Sequence, residues 1–258
     1  GAFSGSQQRA GRQPGIGPLI LRTKFIVLLV ALLTPLMAVP ATASSPIGLF
    51  TSLPIIWPEA DDVSSLISAK AGKHWVLAAL EQQGPVVPLD RFNQTDAKLA
   101  GLKLIVMAQP RPLAAEENVA LDHWVRTGGR LLLFADPMLT QHSAFALGDK
   151  RRPQDIVMLG PLLRHWGLVL HFDQQQVAGE RTDRALGQTI PVNLPGRFTR
   201  TSRHAPCQLR ARGIAAECRI GKGRALILAD AALLEPQLGD SPVRAAVLAA
   251  LINRVQSR

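Results

Sequence analysis

The sequence predicts an α/β fold: a three-layer, flavodoxin-like sandwich with a mostly parallel sheet and an antiparallel annex near 173–220. Three observations predict it. Leu102–Met107 and Arg130–Phe134 are apolar runs of strand length, and between them Val119, Leu121, Trp124 and Val125 recur at helical spacing over 114–127. Strand, helix, strand with an unbroken apolar second strand is a βαβ crossover, which places the strands in parallel with both faces covered. Arg224–Leu228 followed by an amphipathic stretch at Ser241–Val255 repeats that alternation near the other end. The intervening 173–220 segment instead breaks into short alternating pieces rich in arginine.

The remaining elements follow in order. Ile47–Thr51 reads as a first strand, and Ser52–Glu59 as an irregular loop. Residues 61–82 carry Val63, Leu66, Ile67, Trp75, Leu77 and Leu80 at helical spacing, with a break near Ala69–Gly72. Gly84 ends that stretch, and Pro85–Leu89 suits only an edge strand because its prolines cannot donate to a ladder. Gly128-Gly129 stops the 114–127 helix. Residues 138–155 are a polar loop, Asp155 is placed to cap a helix through Trp166, and Gly167 leads into a strand at Leu168–Phe172. About five parallel strands result.

Residues 1–43 form an N-terminal extension and export signal, and 44–258 a single domain. Arg22 and Lys24 precede an apolar run from Phe25 to Val39, and Ala41 and Ala43 supply the small residues of a cleavage site, so cleavage is expected after Ala43. An uncleaved anchor is the alternative; the run is shorter than the roughly 20 residues of a spanning helix, and Pro35 interrupts it. The expected location is periplasmic or secreted, with membrane contact only through an uncleaved signal. Residues 1–20 are set aside from the fold reading.

Of 29 basic and 19 acidic residues, the extension holds Arg9, Arg12, Arg22 and Lys24 and no acid, so the domain keeps a surplus of 6. That is not the dense stripe nucleic-acid binding requires. The lack of tyrosine and the 5% aromatic content count against a stacking surface for sugars or single strands. The densest basic stretch, Arg197, Arg200, Arg203, Arg210 and Arg212, is either a solvated strand face or a docking surface for an acidic partner or lipid headgroup.

Cys207 and Cys218 flank a turn centred between Arg212 and Gly213. In an antiparallel hairpin about that centre the two cysteines face each other, within disulfide reach, and an oxidising compartment would close the bond. Two buried free thiols are the alternative.

Ligands of open α/β sheets bind beyond the carboxyl ends of the strands. Here those ends supply Thr51, Ser52, Gln109, Asp136 and Asp230, the candidate crevice. A ligand crevice needs these side chains partly exposed. An aspartate after a strand can equally cap its own turn. The histidines at 74, 123, 142, 165, 171 and 204 do not cluster, and no metal-ligand spacing occurs. Nucleophile-elbow, P-loop and dinucleotide-binding patterns are missing from residues 44–258, so no cofactor is expected.

The run from Pro112 to Pro137, with its Trp124-Val-Arg-Thr-Gly-Gly-Arg-Leu-Leu-Leu-Phe-Ala-Asp136 core, resembles auxiliary extracytoplasmic components of gliding-motility-type ABC transport systems. These belong to the glutamine-amidotransferase-like, flavodoxin-like superfamily. Gly221–Asp230 looks like the same family's late strand, and Thr51–Trp57 extends the resemblance over most of 46–255. Active amidotransferases of that superfamily carry a cysteine in an elbow where this chain has Ala108-Gln109-Pro110. The resemblance therefore implies a non-catalytic exported accessory or binding protein, not an enzyme, whose partners are ABC transporter membrane subunits or another envelope protein. The alternatives are a hydrolase using Asp136 and Asp230 as acid and base, and a structural envelope protein.

Overall fold

The computed structural model describes residues 44–59, 73–235 and 241–257. The export signal and residues 61–72 of the 61–82 helical stretch, with the break near Ala69–Gly72, lie outside the described residues. Among those described, no helix is long and apolar enough to cross a membrane.

A seven-stranded sheet forms the centre. Its strands are β1 (Ile47–Thr51), β2 (Val86–Leu89), β3 (Leu104–Ala108), β4 (Arg130–Phe134), β9 (Cys207–Arg210), β10 (Ala215–Ile220) and β11 (Gly223–Leu228), in the order β2-β1-β3-β4-β11-β10-β9. The first five in that order are parallel, and β10 and β9 complete the sheet antiparallel. Counting parallel strands alone, the order is the 2-1-3-4-5 of flavodoxin-like folds, whose switch point lies between β1 and β3.

Each central strand buries both faces, which is why β3 and β4 read as unbroken apolar runs. On one face α1 (Trp75–Gln83) and α5 (Ser241–Gln256) cover Leu49, Val106, Leu132 and Leu226. On the other, α3 (Ala115–Arg126) and α4 (Gly160–His165) cover Ile105, Leu131, Leu133 and Ile227, with Trp166 fully buried. Burying one such side chain stabilises the fold by about 1.5–3 kcal/mol. A short helix, α2 (Ala97–Gly101), leads into β3; Asp96 caps it through the Lys98 N–H at 2.8 Å.

Three local expectations are corrected. In α3 Val119 is 60% exposed, and Ala120 and Glu117 turn inward with Leu121, Trp124 and Val125. The helix axis is rotated so that Glu117 can accept from the N–H groups of Ala114 and Phe92 and pair with Arg111. Asp155 does not cap a helix: it pairs with Arg152, and α4 starts only at Gly160. The apolar run at β5 (Leu168–His171) joins no parallel sheet but pairs antiparallel with β8 (Arg197–Arg200).

The annex is present but divided. β6 (Arg181–Ala185) and β7 (Gln188–Val192) form a hairpin, β5 and β8 a second pair, and β9 and β10 extend the central sheet. The β9–β10 register opposes Cys207 to Cys218, and the two are joined by a disulfide with Cα atoms 4.0 Å apart. The turn between them, Ala211–Gly213, has φ of 46°, 53° and 93°.

Candidate functional site

At the carboxyl ends of the strands the structure gathers the expected residues into two neighbouring polar clusters. The first lies at the β1/β3 switch point. Ser52 Oγ donates to the Gln109 carbonyl and accepts from the Gln154 N–H at 3.0 Å. Gln109 leaves β3 with φ 44°, an unusual conformation for a residue with a side chain. Its amide nitrogen donates to the carbonyls of Asp136 and Gln154 at 3.0 and 2.7 Å, and its amide oxygen accepts from the Asp136 N–H at 2.9 Å. Both amide hydrogens are thus used, and the Gln154 backbone bridges Gln109 and Ser52. Thr51 turns aside, its Oγ1 accepting from the Leu53 N–H at 2.9 Å.

The second cluster lies between β4 and β11. Phe134 pairs with Leu228 in register, so Asp136 and Asp230 each follow their strand by two residues on adjacent strands. Asp136 accepts from the N–H groups of Met138 (2.8 Å) and Ala231 (2.9 Å). Asp230 accepts from those of Ala232 (2.6 Å) and Asn193 (2.8 Å). Asn193 Nδ2 donates to Thr140 Oγ1, and that hydroxyl donates to Glu235.

Asp136 is 0% and Asp230 3% exposed. Burial pushes the Asp136 carboxyl up to about 7, against the pull of its two backbone donors, and the charge of Glu235 adds to the rise. Burial and then the charge of Asp136 push Asp230 well above the usual carboxylate range. Glu235 is raised chiefly by burial. Three buried carboxyls that repel one another hold protons where an exposed acid would not.

Thr51 and Ser52 are half-buried, while Gln109, Asp136 and Asp230 are buried where a ligand crevice needs partial exposure. Gln154, Asn193, Thr140 and Glu235 belong to the clusters but carry no signal in the sequence, because loops far apart along the chain bring them in. Among the described residues no three acidic, histidine or cysteine side chains are placed to hold a metal ion.

The expected basic surface is exposed but partly committed. Arg210 pairs with Glu217, Arg212 with Asp183, and Arg197 donates to the Arg212 carbonyl. Arg200 and Arg203 are exposed on and beyond β8.

No family model matches the chain, and no curated protein matches it. Solved structures do. An exo-β-1,4-mannosidase from Opitutaceae bacterium strain TAV5 is similar with a TM-score of 0.50 and 14% identity, over 81% of this chain and 36% of that one. A cold-adapted β-galactosidase from Rahnella sp. R3 is similar with a TM-score of 0.47 and 15% identity, over 83% of this chain and 31% of that one. A cytoplasmic protein from Salmonella typhimurium is similar with a TM-score of 0.45 and 11% identity, over 70% of this chain and 85% of that one. The chain spans about a third of the length of the glycosidases it matches. The reading of a non-catalytic accessory protein, and with it the expectation that the chain is not an enzyme, is overturned by this likeness to a hydrolytic enzyme. At 14% identity the likeness establishes the shared fold, a doubly wound α/β sandwich.

Proposed function

We propose that the chain is part of an exported hydrolase whose acid–base pair is Asp136 and Asp230. The observation that carries this is the pair of interacting carboxyls on adjacent strand ends, with Asp136 held at about 7. Near neutral pH such a pair holds one proton more readily than none or two. The protonated carboxyl donates to a leaving oxygen, and the ionised one takes a proton from the attacking water. The disulfide supports action in an oxidising, extracytoplasmic compartment, periplasmic or secreted.

A second reading, a structural envelope protein, is favoured by one specific observation: all four carboxylate oxygens accept from backbone N–H groups. One experiment separates the two. The chain and its Asp136→Asn and Asp230→Asn variants are assayed on p-nitrophenyl glycosides, β-mannoside first, and on p-nitrophenyl esters, with melting curves alongside. The hydrolase reading expects turnover that falls at least about a hundredfold in folded variants. An inert parent chain, with both variants about 0.5–2 kcal/mol less stable, establishes the structural reading instead.

A further inference from the structure

At the end of the sheet opposite Asp136 and Asp230, a groove of about 350 Å³ opens against the face that α5 covers. Among the described residues it is lined by Arg210, Arg219, Arg224 and Arg254, with Glu217 as the one acidic side chain. We propose that this groove is a binding site for a soluble small molecule carrying two or more phosphate-type oxyanions, independent of any hydrolytic role.

The argument starts from register. Arg219 on β10 lies directly opposite Arg224 on β11, and Arg224 lies opposite Arg130 at the start of β4. Facing residues in a ladder point to the same side, so three guanidinium side chains leave one face in a row across three strands. Like charges placed opposite one another weaken a sheet. Among the described residues none of the three pairs with a carboxylate, whereas Arg210 and Arg254 share Glu217, one to each oxygen at 2.7 and 2.6 Å. Burial pushes the Glu217 carboxyl up, but the hydrogen bonds from Arg254 and Arg210 outweigh it and hold it below the usual range. That acid is therefore ionised and spent on two arginines, and the described side chains of the groove keep a surplus of three positive charges.

Guanidinium forks match oxyanions bidentately, and neighbouring strands stand about 4.8 Å apart, so Arg219 and Arg224 suit two linked anionic groups better than one. The volume is that of a small-molecule site. Arg219 is exposed and Arg224 half-buried, which leaves both within reach of solvent.

The probe is inorganic tripolyphosphate, titrated calorimetrically into the chain at low salt. Saturable binding is expected, weakened at least tenfold by Arg219→Ala and by Arg224→Ala, and changed less than twofold by Arg200→Ala and Arg203→Ala, which remove exposed charge outside the groove. Relief of like-charge contact should also leave the melting temperature of ligand-free Arg219→Ala no lower than that of the parent, which guards against a folding defect. No binding, or equal weakening by all four variants, overturns the proposal. So does sedimentation with phosphatidylglycerol vesicles in the absence of any tripolyphosphate binding, which would make the arginines a lipid surface.

Discussion

Burial of Asp136 makes the protein lose stability as pH rises through neutrality, the reverse of an ordinary salt-bridged acid. The folded-state value is about 7, against 3.8 for the exposed group. Between those values the folded state binds the proton and the unfolded state does not, so stability is greatest at the acid side of the window and is lost as pH rises through 7. Integrating that difference from pH 5 to pH 8.5 gives a loss on the order of 2–3 kcal/mol. For a domain of this size it corresponds to a fall in Tm of about 5–10 °C. Asp230 and Glu235, also raised, act in the same direction. His74 acts oppositely: burial lowers its pKa, so its contribution grows as pH rises toward 6.5 and is constant above. The assay is urea unfolding at half-unit pH steps from 5 to 8.5, for the parent and for Asp136→Asn. The difference between the two curves removes His74, and the variant should show the shallower decline. A parent whose stability is flat or rises between pH 6.5 and 8.5 would refute the assignment of a proton to this pair.

Three further outcomes are expected. Non-reducing peptide mapping should recover Cys207 joined to Cys218, and the Cys207→Ala/Cys218→Ala double variant should unfold about 2–3 kcal/mol more easily in denaturant. Glu117→Gln should cost about 1–3 kcal/mol at pH 7 by leaving Arg111 and two N–H groups poorly matched; because Glu117 is held at about 2, chiefly by Arg111, that difference is present above pH 4.5 and closes as pH falls toward 2. Gly223→Ala would place a Cβ 1.9 Å from the Val125 carbonyl oxygen and 2.5 Å from that of Gly129, so β11 must shift from α3; about 1–3 kcal/mol should be lost in a melting experiment.

The parallel centre is legible in the sequence because a strand buried on both faces has no polar positions to blur it, as in Leu104–Ala108 and Arg130–Phe134. The Cys207–Cys218 pairing is legible for a related reason: a short hairpin leaves one register that sets the two opposite. Leu168–His171 shows the limit, since a short apolar run states that a strand is covered but not which sheet it joins. Val119 shows another: one buried acid, Glu117, turns the inward face of its helix, and hydrophobic spacing does not register it. At the candidate site the strand ends name Gln109, Asp136 and Asp230. Their burial comes from Gln154, Asn193 and the turn after Asp230, and no local pattern announces contacts between loops up to 95 residues apart.

The outermost strand opposite β2 holds only four residues, and its one buried position is the half-cystine at 207. A sheet protects itself against pairing with other chains by keeping its rims short, kinked or charged. β2 does so with Pro88, and β9 with Gln208 and Arg210 turned to solvent. If β9 peels away, the rim becomes β10, a longer strand on which Ala216, Cys218 and Ile220 share one apolar face. The cross-link therefore guards colloidal behaviour as well as folding energy. Production in a reducing host should favour aggregates seeded along β10, and an oxidising secretory host should suppress them.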